Sequence, residues 1–193
     1  MAKLYFKYGA MGSSKTAQAL ITKFNYEERG MQVWLIKPSL DDRDGKERLQ
    51  SRVGLSADAT VIFPTDNIYS KYTEIKASCD VIIADECQFF TEEQIDGLRA
   101  IVNEFDVPVL CFGIRTDFKT HLFSGSKRLF EVADSISEIK TICACGAKAT
   151  VNARIEKDGR VVTEGKKLLL GGDDKYIAMC HRCWEGRIKD DCK

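Results

Sequence analysis

Short apolar runs alternate along the first two thirds of the chain with segments whose apolar residues recur every three or four positions. Five of these runs have the length of a β-strand: Lys3–Tyr8, Gln32–Lys37, Thr60–Phe63, Val81–Ala84 and Val107–Gly113. Val81–Ala84 is apolar throughout, which is typical of a strand buried on both faces of a parallel sheet. Strands that alternate with helices predict an α/β domain with a parallel sheet and helices on both faces.

Three helices are predicted between these strands. Apolar residues follow helical spacing from Thr16 to Glu27, and a second helix is predicted over Ile68–Ala77. Thr91 and Gln94 have the spacing of a capping box, so a third helix should begin there and continue to Phe105. The segment Leu40–Asp58 is polar and charged, and we expect a mobile loop.

The pattern changes near residue 140. Lys140–Ile155 alternates between apolar and polar positions, Asp158-Gly159 is a hairpin-turn signal, and Arg160–Thr163 continues the alternation. We therefore predict two units, an α/β domain at residues 1–139 and a small β-rich subdomain at residues 140–193.

Composition narrows the function classes. Lys and Arg together number 29, as do Asp and Glu, so the net charge is zero and a dedicated nucleic-acid-binding surface is not expected. The sequence shows no secretory signal and no apolar stretch long enough to cross a bilayer. We expect a cytoplasmic protein without a membrane partner, whose eight cysteines serve as thiols or metal ligands.

A candidate phosphate-binding loop joins the first strand to the first helix. Its residues are Gly9, Ala10, Met11, Gly12, Ser13, Ser14, Lys15 and Thr16. Backbone amides at a helix N-terminus bind phosphate, Lys15 would reach the β- and γ-phosphates, and the hydroxyl of Thr16 would ligate Mg²⁺. Ser14 departs from the usual glycine, so this octet alone also fits an ordinary helix N-terminus.

The pair Asp85-Glu86 strengthens the nucleotide prediction. It directly follows the buried strand Val81–Ala84, the position from which P-loop enzymes hold Mg²⁺ with an aspartate. Two adjacent carboxylates at the end of an apolar strand are costly unless they are used. The pair leaves two enzyme classes open: a kinase whose glutamate takes a proton from an acceptor hydroxyl, and a nucleic-acid-dependent ATPase whose glutamate activates water.

Four cysteines form two close pairs. Cys143 and Cys145 are separated by one residue, and Cys180 and Cys183 by two. Four thiolates in this arrangement predict a closed, tetrahedral and structural zinc site in a ribbon-like subdomain.

Three segments together resemble the type II thymidine kinases, the family that includes the human cytosolic enzyme and many bacterial ones. They are Asp85–Phe90, Gly113–Phe118 and Gly171–Tyr176, the last followed by Cys180 and Cys183. The resemblance runs from Lys3 to about Trp184. It implies a P-loop NTPase fold of the RecA-like class, with a zinc-stapled subdomain that carries a lasso loop. It also implies transfer of the γ-phosphoryl group of ATP to the 5′-hydroxyl of thymidine, giving dTMP.

The resemblance implies a role for individual residues. Glu86 matches the general base, and Asp85, Glu86, Cys87 and Gln88 join the octet in binding nucleotide, with Thr16 and Asp85 on Mg²⁺. The expected walls of the thymidine pocket are Met11, Phe89, Ile114, Phe118 and Phe123. The lasso would contribute Gly171, Gly172 and Tyr176, and the acceptor end would contribute Asp41 and Arg43.

The same resemblance implies a homotetramer that is inhibited by dTTP. Two alternatives stay open at this stage: a kinase of the same build for another deoxynucleoside, and a zinc-ribbon ATPase that depends on nucleic acid.

Overall fold

The computed structural model describes residues 1–41, 45, 47–165 and 175–191. Its strands are β1 (Leu4–Tyr8), β2 (Val33–Pro38), β3 (Arg48–Gln50), β4 (Ser56–Asp58), β5 (Thr60–Ile62), β6 (Val81–Ala84), β7 (Val109–Gly113), β8 (Ser135–Glu138), β9 (Val151–Arg154) and β10 (Tyr176–Met179). Its helices are α1 (Lys15–Glu27), α2 (Ile68–Ile75), α3 (Glu92–Phe105), α4 (Ser124–Val132) and α5 (His181–Asp191), with short 3₁₀ turns at Lys76–Ser78 and Cys87–Phe89.

Six parallel strands form the central sheet in the order β5-β2-β6-β7-β1-β8. Strand β7 therefore lies between β1, which leads into the phosphate loop, and β6, which leads into Asp85. Because all three strands are parallel, their carboxyl ends meet at one edge of the sheet, where α/β proteins bind ligands.

Alternate residues of the sheet enter two separate cores. On one face Phe6 and Ile82 pack with side chains of α2, α3 and α4. On the other face Ile83 and Phe112 pack with Ala19 and other residues of α1. The predicted α/β fold of P-loop type, with helices on both faces, is confirmed.

The capping box predicted for α3 is also present. The hydroxyl of Thr91 accepts from the backbone N–H of Gln94, and the Gln94 side chain accepts from the backbone N–H of Thr91. This reciprocal pair satisfies two backbone donors that a helix start leaves unpaired.

The prediction of a loop throughout Leu40–Asp58 was wrong in part, because β3 and β4 form an antiparallel hairpin there. The pattern missed it since each strand has only three residues and the hairpin buries one large apolar side chain, Leu49, against the core at α1. Such short strands carry too few positions to show a period of two.

Beyond residue 140 a further, smaller hydrophobic cluster forms. The hairpin β9–β10 packs with α5 around a cluster formed by Cys143, Ala149, Ala153 and Met179. Within the described part of the chain, no helix is both long and apolar enough to span a bilayer.

Candidate active site

The phosphate loop is held tightly at its start. The backbone N–H of Gly9 donates to the carbonyl of Gly113 at 3.2 Å, which ties the loop to the end of β7. A Cβ on Gly9 would lie 2.4 Å from Oγ of Ser13 and 2.5 Å from the carbonyl oxygen of Ile139, so only glycine fits. The ammonium of Lys15 lies inside the loop and donates to the carbonyl of Ala10 at 2.9 Å. The loop's own carbonyl groups thus hold the Lys15 ammonium where phosphate would bind.

Ser14 adopts the left-handed conformation, with φ 60° and ψ 28°. A residue with a Cβ pays about 1 kcal/mol for this conformation, which explains why glycine is usual at this position. The Ser14 side chain is exposed, and α1 begins at the next residue, Lys15. The serine is therefore accommodated by local backbone strain and does not displace the helix start.

Thr16 and Asp85 meet at the edge of the sheet, although they lie far apart in the sequence. The hydroxyl of Thr16 donates to Oδ2 of Asp85 at 2.7 Å. The second carboxylate oxygen, Oδ1, is buried and accepts no hydrogen bond from any residue that the structure describes. A buried, partly unsatisfied carboxylate beside a hydroxyl fits a divalent cation, because Mg²⁺ prefers oxygen ligands and carboxylates.

The protonation of Asp85 reflects this environment. Burial and the neighbouring Glu86 carboxylate raise the pKa of Asp85 to about 7, against the lowering effect of the hydrogen bond from Thr16. The carboxyl group is therefore protonated below neutral pH unless a cation compensates for its burial.

Glu86 is the first residue beyond the buried strand and is only partly buried. Its backbone is left-handed, with φ 51° and ψ 36°, an uncommon state for glutamate. The amide of Gln88 donates to its carboxylate, and the amide oxygen of Gln88 accepts from the backbone N–H of Ile114 at 3.0 Å. Gln88 thus holds the Glu86 side chain and ties it to the end of β7. Strained backbone of this kind persists where surrounding contacts impose it, and it is frequent at active sites.

Two glycines permit the close packing that positions Cys87 and Gln88. A Cβ on Gly113 would lie 2.8 Å from Oε1 of Gln88. A Cβ on Gly125, in the first turn of α4, would lie 2.4 Å from the carbonyl oxygen of Cys87. The 3₁₀ turn that follows Glu86 is therefore clamped between β7 and α4, which fixes where the carboxylate points.

The predicted aromatic residues gather beside this edge in two contacts. The rings of Phe89 and Phe123 meet edge to face, with centroids 5.6 Å apart. The Arg154 guanidinium lies 3.7 Å from the ring centroid of Phe118, and it donates to the hydroxyl of Tyr176 at 2.9 Å. Arg154 is almost completely buried, so this stack forms a packed wall.

Asn152 joins that wall to the phosphate loop. Its side-chain oxygen accepts from the backbone N–H of Met11 at 2.8 Å, and its side-chain nitrogen donates to the carbonyl of Thr116 at 2.9 Å. Asn152 and Arg154 alternate along β9 and so lie on the same face of that strand. These contacts bring Met11, the segment after β7 and the hairpin β9–β10 together.

Of the remaining residues predicted for the acceptor end and the lasso, the structure describes Asp41. Asp41 is buried, and its carboxylate lies 3.9 Å from the ammonium of Lys37 at the end of β2. Arg43, Gly171 and Gly172 lie outside the described residues.

The four cysteines converge as predicted. Their sulfur atoms all lie within 4.8 Å of one another, and those of Cys145 and Cys180 are 3.7 Å apart. Four sulfurs at 2.3 Å from one tetrahedral ion would be separated by about 3.8 Å, so the cluster has the size of a metal site. Backbone N–H groups of Cys145 and Cys180 lower the pKa of Cys143 to about 6, whereas hydrogen bonds with the other three cysteines raise the pKa of Cys183 to about 12. The cluster therefore favours one thiolate by itself, and a bound metal ion would be needed to hold all four.

Sequence reasoning missed Lys37, Asn152 and Arg154. Each is a polar or charged residue at a buried strand position. The only signal in the sequence was a polar residue within a strand pattern, which carries no information about its distant partner.

The comparisons with known proteins agree with this geometry. The family described as "Thymidine kinase" matches residues 2–184 of the chain. A thymidine kinase from Shewanella oneidensis is 43% identical over 194 residues, covering 98% of this chain and all of the relative. One from Legionella pneumophila is 45% identical and covers 93% of this chain and 88% of the relative. One from Agrobacterium fabrum is 40% identical and covers 95% and 96%. With its phosphate loop, its carboxylate pair and this similarity over nearly its whole length, the chain belongs to the thymidine kinase family of phosphotransferases.

Proposed function

We propose that this protein transfers the γ-phosphoryl group of ATP to the 5′-hydroxyl of thymidine, giving dTMP and ADP. The observation that carries the proposal is the position of Glu86, which directly follows the Asp85 that Thr16 contacts and begins the 3₁₀ turn that carries Phe89. A base at this point serves both the nucleotide and an acceptor that stacks on the aromatic wall. Family membership supports the choice of acceptor.

In this proposal Glu86 accepts the proton of the acceptor hydroxyl as that oxygen attacks the γ-phosphorus. A carboxylate held by Gln88 is oriented before the acceptor arrives, which is how a positioned base lowers a barrier. The octet and residues 85–88 bind the triphosphate, with Lys15 moving from the loop carbonyls to the phosphate oxygens. Thr16 and Asp85 are the proposed ligands of Mg²⁺, which would neutralise phosphate charge.

The aromatic residues are the proposed base site. Apolar walls with a few directed polar groups suit a flat pyrimidine. Phe118 and Tyr176 are both held by Arg154, so the wall and the start of β10 are connected. We propose that Met11, Phe89, Ile114 and Phe123 complete the pocket, that Asp41 and Arg43 lie near the acceptor hydroxyl, and that Gly171 and Gly172 belong to a loop that covers the base.

The cysteine cluster is the proposed site of a structural zinc ion. With four thiolates the coordination is complete and leaves no position for a substrate. The ion would connect the segment before β9 to α5, and so hold residues 140–193 as a subdomain beside the α/β domain at 1–139.

The assembly, regulation and location of the protein are also proposals. Ile21 and Phe24 on α1 are apolar and exposed, which fits burial against another copy of the chain in a homotetramer. Inhibition by dTTP would follow if its base occupied the thymidine pocket and its phosphates the donor loop. Use of ATP and a cluster of reduced thiols fit the cytoplasm, without a nucleic-acid or membrane partner.

One assay separates the candidate functions. The protein is incubated with Mg²⁺ and ATP labelled at the γ-phosphate, in turn with thymidine, deoxyuridine, deoxycytidine, deoxyadenosine and deoxyguanosine. Labelled dTMP is the expected main product. A different labelled monophosphate would indicate a kinase for another deoxynucleoside. Release of labelled phosphate that rises with added DNA or RNA, without any labelled nucleotide, would instead identify a nucleic-acid-dependent ATPase.

A further inference from the structure

The tip of the β3–β4 hairpin carries an arginine over the phosphate loop. A Cβ built on Gly12 would lie 3.9 Å from Nη1 of Arg52. Gly12 occupies the middle of the octet, where φ is +74° and the backbone turns around the space for phosphate. The guanidinium is thus next to the part of the loop that cradles the triphosphate.

The hairpin is attached to the α/β domain at several points. Leu49 is buried in the core that includes Ala19 and Leu20 of α1. The ammonium of Lys37 donates to the carbonyl of Arg48 at 2.7 Å, which ties the start of the hairpin to the end of β2. These contacts hold the hairpin against the helix that begins at the phosphate loop.

The turn that bears Arg52 is itself closed by hydrogen bonds. The backbone N–H of Ser51 donates to the carbonyl of Leu55 at 2.8 Å, and the N–H of Leu55 donates to Oγ of Ser51 at 3.0 Å. The Cα position of Arg52 is therefore determined by the fold. An arginine at the tip of an anchored turn can remain over the loop during a reaction.

Charge supports the assignment. The octet contains a single cationic side chain, Lys15, and the chain as a whole has no excess of positive charge. A second cation above Gly12 is therefore not the consequence of a generally basic surface. In phosphoryl transfer, an arginine provided by the same chain stabilises the charge that develops on the transferred group.

We propose that Arg52 is a further catalytic residue, whose guanidinium donates hydrogen bonds to the γ-phosphate of ATP. The inference rests on the proposed function. In the step, the bond from the γ-phosphorus to the β–γ bridging oxygen breaks and a bond to the acceptor oxygen forms. The acceptor proton passes to Glu86, ADP leaves with the bridging oxygen, and Arg52 keeps its protons throughout.

The first test compares Arg52→Ala and Arg52→Lys with Arg48→Ala, an exposed arginine of the same hairpin whose side chain bonds Ser56. We expect kcat to fall about 10³-fold in Arg52→Ala, while KM for thymidine changes less than threefold. Arg52→Lys should restore little of the lost kcat, because a lysine ammonium cannot form the bidentate hydrogen bonds of a guanidinium. Arg48→Ala should retain normal kcat. A kcat for Arg52→Ala within threefold of the wild type would overturn the proposal.

A second measurement does not depend on the acceptor. Binding of MgATP and MgADP is measured by displacement of a fluorescent ATP analogue, and thermal unfolding reports whether each variant is folded. The wild-type protein should bind MgATP more tightly than MgADP. In folded Arg52→Ala the ratio of the two dissociation constants should change at least tenfold in favour of MgADP. An unchanged preference would contradict contact with the γ-phosphate. If the wild type phosphorylates no nucleoside, the proposed function fails. The ratio of the dissociation constants for MgATP and MgADP still tests whether Arg52 contacts the γ-phosphate.

Discussion

Asn152→Leu tests whether the hairpin β9–β10 positions the phosphate loop. The substitution preserves side-chain size and removes both hydrogen bonds of a residue that is 3% exposed. It leaves the N–H of Met11 and the carbonyl of Thr116 without their partner. Each unsatisfied buried group costs about 1–3 kcal/mol. The total is roughly 2–6 kcal/mol, and we expect the lower half of this range because the Met11 amide is only partly buried.

That free energy divides between global stability and loop position. If the whole of about 2–4 kcal/mol appeared as lost stability, Tm would fall by roughly 4–16 °C in a chain of this length. The share that shifts the loop instead makes the fall in Tm smaller. The Met11 amide belongs to the phosphate loop. If ATP binding has to return a displaced loop to its original position, each 1.4 kcal/mol that this requires weakens binding about tenfold. We therefore expect KM for ATP to rise about tenfold or more.

The measurements are steady-state kinetics with ATP varied and differential scanning calorimetry. Asn103→Leu is the matched control, since Asn103 is exposed on α3 and its side-chain oxygen accepts from the guanidinium of Arg99 on the same helix. The control should change neither KM nor Tm appreciably. An Asn152→Leu protein with Tm and KM for ATP both within error of the wild type would refute the reasoning.

Four further outcomes are expected. Glu86→Gln should lower turnover about 10²–10⁴-fold while binding of a fluorescent ATP analogue is retained; unchanged turnover would remove Glu86 from the mechanism. Gly125→Ala should cost about 1–3 kcal/mol in urea unfolding because its Cβ meets a backbone carbonyl at 2.4 Å, whereas Gly186→Ala, with no atom of the described chain within 4 Å of its Cβ, should not destabilise. The pKa of Asp85 is about 7 in the folded protein and near 3.9 when unfolded, so without Mg²⁺ the folded state binds more protons between these values. Stability should then fall as pH rises from about 4 to 7 and level off above, and Asp85→Asn should lose this slope. Removal of metal by a chelator should increase hydrogen exchange in β9, β10 and α5 before it does so in the central sheet. If protection of β9, β10 and α5 is the same with and without chelator, a structural metal is excluded.

Much of the α/β fold was predictable from local patterns. Val81–Ala84 is apolar at every position because both of its faces are covered, and the structure buries all four residues. Thr91 and Gln94 lie within one helical turn, so the capping box required no knowledge of the rest of the chain. The octet at Gly9–Thr16 was recognisable for the same reason, since its residues are contiguous and its neighbours are a strand and a helix.

Some candidate site residues were predictable by type but not by arrangement. The spacing of the four cysteines indicated a metal site before their sulfurs were seen to converge. Asp85 and Glu86 were identified from their place after a buried strand. The sequence does not show how the environments of Asp85 and Glu86 differ. The fold buries Asp85 completely and holds Glu86 in a left-handed conformation.

Local patterns were enough to predict the strands of the parallel sheet, the phosphate loop, the carboxylate pair and the two cysteine pairs, since each is encoded in residues close together in the chain. Three contacts depend on the folded chain: Asn152 bonds Met11 across 141 positions, Arg154 stacks on Phe118, and Arg52 lies over Gly12. Such contacts leave no periodicity or spacing in the sequence. They arise because parallel strands bring their carboxyl ends, and the loops that follow, to one edge of the sheet.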